Sequence, residues 1–310
     1  LTRVALLVNA AAGRGRARDA AGAVTARLTA AGVEVQPLQA PDRAAAERAV
    51  GQVAADVDAV AALGGDGVAH AAVQGLAGTG TPLAVLPAGT GNDLALALGV
   101  PADPLAAADA AVADLRTGGG RPLDLVRSSW DGGQRWWATV LCCGFDSAVS
   151  DRVNRLRWPP GRRRYDLATA LELARLRPRR VRLTLDGEVT DHDVTLVAVG
   201  NTGVYGGGLR ICPDADPADG WLDVTVVGPV SRRELVRTRP RLAAGTHTTH
   251  PAVRVLRART VELAAEGLTT WADGEPVGPL PQRCTVVPGA LAVLGADRGE
   301  RLERPRRRVP

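Results

Sequence analysis

Two short stretches hold residue types and spacings that could do chemistry: Leu63-Gly64-Gly65-Asp66-Gly67 and Leu86-Pro87-Ala88-Gly89-Thr90-Gly91-Asn92-Asp93. Each ends an apolar run, turns on glycine beside an acidic or amide side chain, and passes into a helical pattern. On neighbouring parallel strands two such junctions stand side by side. Their backbone N–H groups and a helix N-terminus form a ready site for phosphate. A carboxylate beside phosphate repels it, so Asp66 points to a Mg²⁺ bridge or to a proton to be taken. That is phosphate chemistry rather than passive holding. Gly64, Gly65, Gly67 and Gly89 let a phosphate approach the backbone, Thr90 offers a hydroxyl, and Asn92 can orient the group. No G-K-[ST] follows, which excludes a Walker loop, and no G-x-G-x-x-G turn follows the first strand, which argues against dinucleotide binding.

The elements that must position these junctions alternate in the first part of the chain. Val4 to Val8 reads as a buried strand, followed by a loop from Asn9 to Arg16 and an Ala-rich helix ending at Gly32. Strand Val33 to Leu38, a helix from Arg43 to Ala54, strand Ala59 to Leu63, a helix after Gly67 and strand Leu83 to Leu86 continue the pattern. Such alternation implies a parallel sheet with helical crossovers on both faces. The pattern changes near Pro122-Leu123-Asp124. Beyond it lie runs such as Trp136 to Leu141, Val181 to Leu185, Val194 to Val199, Leu222 to Val227, Val253 to Leu256, Val261 to Leu263 and Cys284 to Val287. Short strands between turns predict an antiparallel β-sandwich, interrupted by one helix over Tyr165 to Leu176. The expected division is an α/β domain over 1–124, a sandwich over 125–297 and a disordered basic tail over 298–310.

At 310 residues two cores are the natural expectation. All 38 basic residues are Arg, and the net charge is +5. The excess gathers in the tail (Arg298, Arg301, Arg304, Arg306, Arg307, Arg308) and around Arg152, Arg155, Arg157, Arg162, Arg163 and Arg164. Such runs are either a solvated face or an attraction to an anionic membrane, the latter worth about 1 kcal/mol per basic residue near the bilayer. No nucleic-acid motif accompanies the charge, so no nucleic-acid partner is expected. The four cysteines, Cys142, Cys143, Cys212 and Cys284, form no C-x-x-C pair. A reduced, cytoplasmic setting without zinc or disulfides is expected. Leu1 to Asn9 reads as strand rather than signal peptide, and no run of about 18 apolar residues suggests a membrane span.

On these residues the chain resembles the diacylglycerol kinase catalytic-domain family, the bacterial lipid kinases related to sphingosine and ceramide kinases. Asn9-Ala10-Ala11-Ala12-Gly13 lies where the family has its N-P-x-x-G nucleotide loop. Gly64 to Gly67 matches G-G-D-G, and Gly89 to Asp93 matches G-T-G-N-D. Pro122-Leu123-Asp124, Asp219-Gly220-Trp221-Leu222-Asp223 and Asp273-Gly274-Glu275 match later motifs in order. The resemblance implies an ATP- and Mg²⁺-dependent kinase acting on a hydroxyl of a diacylglycerol-like or sphingoid-like lipid at a membrane face. ATP would lie along Asn9, Ala10, Ala11, Ala12, Gly13, Gly64, Gly65, Asp66, Gly67, Gly89, Thr90 and Asn92. Asp273 or Glu275 would be the general base, with Asp66 near the phosphates and Mg²⁺. A structural Mg²⁺ would sit on Asp216, Asp219 and the carbonyl of Trp221, hard oxygen ligands that suit it; an Asp-rich turn without metal is the competing reading. Two rival functions stand beside the kinase: a NAD kinase-like enzyme, which also carries G-G-D-G, and a non-catalytic nucleotide or lipid-binding module. The oligomeric state is open, a homodimer included.

Two departures from the family pattern matter. Ala10 replaces Pro in the first loop, and Val68 stands where Thr is usual, removing a hydroxyl and implying weakened activity. Asp93 and Asp124 are expected to pair with Arg14 or Arg16. His70 is expected to orient its helix, Cys142 and Cys143 to point to opposite faces of a strand, and Trp158 beside Pro159-Pro160 to meet a membrane. His247 and His250 lack a third metal ligand nearby in sequence.

Overall fold

The computed structural model describes residues 2–8, 16–156, 158–159 and 162–297. The loop Asn9 to Gly13, Arg14, Arg157 and the basic tail 298–310 therefore lie outside the described residues.

The first part runs β1 (Thr2–Val8), α1 (Arg16–Ala30), β2 (Val33–Leu38), α2 (Arg43–Val53), β3 (Ala59–Gly64), α3 (Asp66–Leu76), β4 (Leu83–Pro87), α4 (Asp93–Ala97) and α5 (Pro104–Thr117). Its strands lie in the order β2-β1-β3-β4, all parallel. Every residue of β3 and β4 is buried, as expected of strands covered on both faces. Local signals start the helices: Asp42 accepts from Ala45 N at 2.8 Å to cap α2, and Asp103 accepts from Ala106 N before Pro104 opens α5. In register, Gly64 pairs with Pro87, so both glycine junctions leave the carboxyl ends of adjacent strands. In open parallel sheets, ligands bind at that edge.

The remainder runs β5 (Arg121–Trp130), β6 (Gly133–Trp137), β7 (Val140–Gly144), α6 (Phe145–Arg155), α7 (Arg162–Ala174), β8 (Arg179–Leu185), β9 (Glu188–Val194), β10 (Leu196–Gly200), β11 (Leu222–Val227), α8 (Arg232–Ala244), β12 (Val253–Ala258), β13 (Thr260–Ala264), β14 (Thr269–Ala272), β15 (Glu275–Pro279) and β16 (Gln282–Leu294). One all-antiparallel sheet is ordered β12-β11-β10-β7-β14-β15. It packs against β5, β6, β8, β13 and β16 through a core that includes Val126, Trp137, Leu183, Val261 on one side and Leu141, Cys143, Val199, Val224 on the other. This is the sandwich that the alternating runs predicted.

The two parts are more closely joined than the sequence suggested. Strand β16 pairs antiparallel with β5 and β13, then parallel with β4 at Val293 and Leu294, so one ten-stranded mixed sheet runs through both. Leu291, Val293 and Leu294 are buried in the same cluster as the parallel strands. Other elements also differ from expectation. The single strand read over Trp136 to Leu141 is broken at Ala138-Thr139, and its halves join different sheets. Helices α6 and α8 were not foreseen, although Ser231 and Glu234 form a capping box at the start of α8. No residue of helix α8 is fully buried, and only Leu242 of it packs against an apolar cluster, so the stripe that would mark it in the sequence is weak. Cys142 and Cys143 do point to opposite faces of β7, each into its own apolar cluster.

Candidate active site

Three turns meet at the carboxyl edge of the parallel layer. The β3–α3 and β4–α4 turns touch through their glycines: a Cβ on Gly89 would lie 2.4 Å from Gly65 Cα, so neither position has room for a side chain. Gly64 O accepts from the amides of Ala88 and Gly89 at 2.7 and 3.1 Å. Asp66 then fastens the second turn to the first, its two oxygens accepting from Asn92 N at 2.8 Å and Asp93 N at 2.6 Å. Asn92 adopts the left-handed conformation that its short amide tolerates (φ 58), and its Oδ1 accepts from Gly89 N at 3.0 Å. Thr90 is exposed at the rim.

The third turn comes from the sandwich. Asp273 (φ 54) and Gly274 (φ 76) are the two central residues of the β14–β15 hairpin, with Ala272 paired to Glu275. Asp-Gly with both φ positive is the favoured two-residue hairpin turn. Because the chain reverses between them, the carboxylates of Asp273 and Glu275 go separate ways.

Asp273 is turned inward. One oxygen accepts from His70 Nδ1 and Ala138 N, each at 3.0 Å; the other accepts from Thr139 N at 2.9 Å and Thr139 Oγ1 at 2.6 Å. Burial is the largest influence on this carboxyl and pushes its pKa up, but the hydrogen bond and charge of His70, with the bonds from Thr139 and Ala138, outweigh it and hold the pKa below the usual range. The break between β6 and β7 thereby acquires its reason, since the amides of Ala138 and Thr139 are given to Asp273 instead of to a neighbouring strand. His70 is itself buried, 1% exposed, and its Nε2 faces Gln74 and Arg135.

Glu275 faces the glycine junction. Its Oε1 lies 3.0 Å from where a Cβ on Gly67 would stand, and its Oε2 accepts from Arg43 at the start of α2. Arg43 also approaches Glu47 at 3.6 Å, and Glu47 accepts from Arg135 at 3.0 Å. Glu275 keeps about a quarter of its side chain exposed (25%), whereas the Asp273 side chain keeps 6%. Glu275 is therefore the more accessible of the two carboxylates.

Asp93 accepts from Gly207 N at 2.8 Å and Gly208 N at 3.1 Å, drawing the β10–β11 loop toward the same edge. Burial, then the charge of Asp93, pushes Asp66 up to about 6, and burial likewise raises Asp93. Two adjacent half-buried carboxylates of this kind suit a divalent cation that is held mainly by phosphate and water and needs only one or two protein oxygens. Asp93 and Asp124 are held by backbone amides; of the two arginines expected beside them, Arg14 lies outside the described residues. Asp124 accepts from Gly220 N at 2.7 Å and Gly289 N at 2.8 Å, while Arg16 donates to Gly89 O at 2.6 Å. Val68 is packed in the apolar core of the parallel layer, 5% exposed, so the departure from Thr is a packing change that leaves the amides of the turn in place.

The third expected group, Asp216, Asp219 and Trp221, lies apart in the β10–β11 loop. Asp219 accepts from Arg257 on one oxygen and from Trp221 N at 3.0 Å on the other, and Asp216 caps Ala218 N at 3.1 Å. Among the described residues no three His, Cys, Asp or Glu side chains converge to hold a metal. With a guanidinium already seated on Asp219, this donor set does not fit a resident Mg²⁺. A surface hollow of about 450 Å³ elsewhere, lined by Thr184, Asp186, Gly187, Thr260, Glu262 and Arg283, contains none of the turn residues. His247 Nε2 donates to Ile211 O at 3.1 Å, and His250 pairs with Glu234 at 3.1 Å.

His70, Thr139, Arg43, Glu47 and Arg135 are the site residues that sequence reasoning missed or undervalued. The Asp-Gly dipeptide was a readable hairpin signal for the third turn. Nothing near Arg43 marks it, because its partner is 232 residues away.

A parallel α/β layer with two touching glycine turns, closed by an acidic hairpin from an antiparallel sandwich, defines a phosphate-handling two-part fold. The diacylglycerol kinase catalytic domain family matches residues 3–127, and the YegS C-terminal NAD kinase beta sandwich-like domain matches residues 139–295. The chain is 45% identical over 301 residues to a protein of Mycobacterium tuberculosis (strain ATCC 25618 / H37Rv) named "Diacylglycerol kinase", with 96% of each covered. It is 32% identical over 297 residues to a protein of Stenotrophomonas maltophilia (strain K279a) named "Probable lipid kinase YegS-like", covering 92% of this chain and 93% of the other. A crystal structure of a diacylglycerol kinase from Bacillus anthracis str. Sterne shares the fold with a TM-score of 0.70 at 21% identity, covering 94% of this chain and 96% of that one. This chain belongs to the diacylglycerol kinase family with a YegS-type C-terminal domain.

Proposed function

We propose that the protein is a lipid kinase that transfers the γ-phosphate of ATP to a hydroxyl of a diacylglycerol-like or sphingoid-like lipid, with Glu275 as the general base. The observation that carries this reading is the seating of Glu275 against Gly67, at the turn where phosphate would lie. The lipid oxygen bonds to the γ-phosphorus as the bond to the β,γ-bridging oxygen breaks. ADP leaves, and the hydroxyl proton passes to Glu275. Asp273, already holding four hydrogen bonds, fixes the hairpin that presents Glu275 and is not needed as a proton acceptor.

Nucleotide binding is assigned to Gly64, Gly65, Gly67, Gly89, Thr90 and Asn92, together with the loop Asn9 to Gly13. Asp66 and Asp93 would hold the Mg²⁺ that accompanies ATP, which supplies charge neutralisation to the phosphates. The working division into a nucleotide part over 1–124 and a lipid part over 125–297 follows from these assignments. The names of the relatives favour a lipid acceptor over a nicotinamide dinucleotide. For the setting we propose peripheral attachment to an anionic membrane on the cytoplasmic side. Trp158 (75% exposed) and Tyr165 (44%), with Arg163 and Arg164 beside them, support it. Among the described residues no helix is long and apolar enough to cross a membrane.

The test is transfer of labelled γ-phosphate from ATP to diacylglycerol or sphingosine in mixed micelles, with Glu275→Gln as the control. Nucleotide binding without phosphorylation of either lipid refutes the proposal. Sedimentation with phosphatidylserine vesicles, compared with a Trp158→Ala variant, tests the membrane reading.

A further inference from the structure

The loop between β10 and β11 is where the family resemblance would put a structural Mg²⁺, and this chain builds it differently. Arg257, on β12, reaches across to Asp219 and also pairs with Asp223 at 3.2 Å. Its guanidinium lies 5.5 Å from the centroid of the Trp221 ring, and that of Arg259 lies 4.8 Å from the same ring. Two guanidinium charges thus stand at the loop that a divalent cation would have to enter. The second oxygen of Asp219 closes a short turn onto Trp221 N, and Asp216 does the same onto Ala218 N.

The loop is also tied from the opposite side without any cation. Asp124, 2% exposed, accepts from Gly220 N at 2.7 Å and donates its own amide to Pro217 O at 2.7 Å. The same carboxylate binds Gly289 N, so loop, domain junction and β16 are fastened to one buried group. Charge and hydrogen-bonding requirements usually met by a bound cation are met here by side chains and amides of the chain.

We infer that the guanidinium of Arg257 is a tethered replacement for a divalent cation at the Asp216–Asp219–Trp221 loop, so that this loop needs no Mg²⁺ to hold its shape. The inference does not depend on which lipid, or whether any, is phosphorylated. An Arg on a paired strand is present whatever the ionic conditions, whereas a millimolar-affinity cation site empties and fills with them. The removal of Arg257 takes away the guanidinium that Asp219 and Asp223 share, and that pair of carboxylates then becomes a site for Mg²⁺.

Thermal unfolding of the full chain without nucleotide, in EDTA and in MgCl₂ at matched ionic strength, tests this directly. Expected are a wild-type Tm equal in both buffers, an Arg257→Gln variant with a lower Tm in EDTA that MgCl₂ restores, and no restoration in the double variant R257Q/D219N. Arg257→Lys, which keeps the charge, should remain insensitive to Mg²⁺. The inference is overturned by a saturable rise of the wild-type Tm with MgCl₂ that Asp219→Asn abolishes, or by an Arg257→Gln variant that melts as wild type in EDTA.

Discussion

Replacing Asp273 and Glu275 one at a time should separate two carboxylates that lie two residues apart and do different work. Asp273 holds donors on both oxygens: His70 and Ala138 on one, the amide and hydroxyl of Thr139 on the other. In Asp273→Asn the new NH₂ group must face one of these pairs, so two hydrogen bonds to a charged group are lost. At about 1.5–3 kcal/mol each, partly recovered if the Thr139 hydroxyl rotates or His70 changes tautomer, the net cost is about 3 kcal/mol. At roughly 2–4 °C per kcal/mol for a chain of this order, the melting temperature should fall by roughly 6–12 °C. The sign with pH is fixed by the depressed pKa of Asp273. Its stabilisation is complete above the ordinary carboxylate value of 3.8 and is lost only as pH falls below it through the native value, so the deficit of the variant should be constant from neutral pH down to that point. Glu275→Gln removes only a partly exposed contact to Arg43, worth about 0–1 kcal/mol, so its melting temperature should change little. Its kcat should instead fall about 10²–10⁴-fold through loss of the base. Thermal melts and steady-state transfer assays on the two variants give four numbers. An Asp273→Asn protein as stable as wild type, or a Glu275→Gln protein with unchanged kcat, would refute the assignment.

Three further outcomes follow from the same geometry. Arg43→Ala should lower kcat/KM by about 5–30-fold, the equivalent of about 1–2 kcal/mol, because Glu275 loses its fixed position; Arg43→Lys should restore part of it, and equal losses in both variants would show that charge alone is not what positions Glu275. Gly89→Ala puts a Cβ 2.4 Å from Gly65 Cα; overpacking should cost about 1–3 kcal/mol, and calorimetric titration should show weakened ATP binding. Asp66, raised to about 6, should give nucleotide binding an acid limb near that pH. Its effect on folding has the opposite sign to that of Asp273, being most favourable below the ordinary value of 3.8 and lost as pH rises through about 6. Flat ATP affinity between these two values would contradict the burial of Asp66 beside Asp93.

Much of this protein was legible in the order of its residues because the relevant signals are local. The strands ending at Gly64 and Pro87, the glycine turns after them and the helix patterns beyond each occupy a dozen residues or so, and propensity, period and turn chemistry act at that range. The motifs Gly64 to Gly67 and Gly89 to Asp93 could be picked out for the same reason, whereas Asp273 to Glu275 stood out only through the family resemblance. The alternation of short strands was likewise enough to expect the sandwich. Where local signals were weak, the reading failed: α8 has no fully buried residue, and the strand from Trp136 breaks because its amides serve a carboxylate elsewhere in the chain.

What the tertiary structure decided are relations between residues far apart. Asp273 meets His70 across 203 residues and Thr139 across 134, and Glu275 meets Arg43 across 232. Asp273 and Glu275 are interchangeable on the page as carboxylates of one motif. A hairpin turn with two positive φ angles sends one into a fully bonded pocket and leaves the other partly exposed toward Gly67. Likewise Asp219 is a plausible metal ligand in sequence until strand pairing brings Arg257 onto it. Residue type and spacing determine what a side chain can do; burial and partners, which depend on chain closure over long separations, determine which of those things it does.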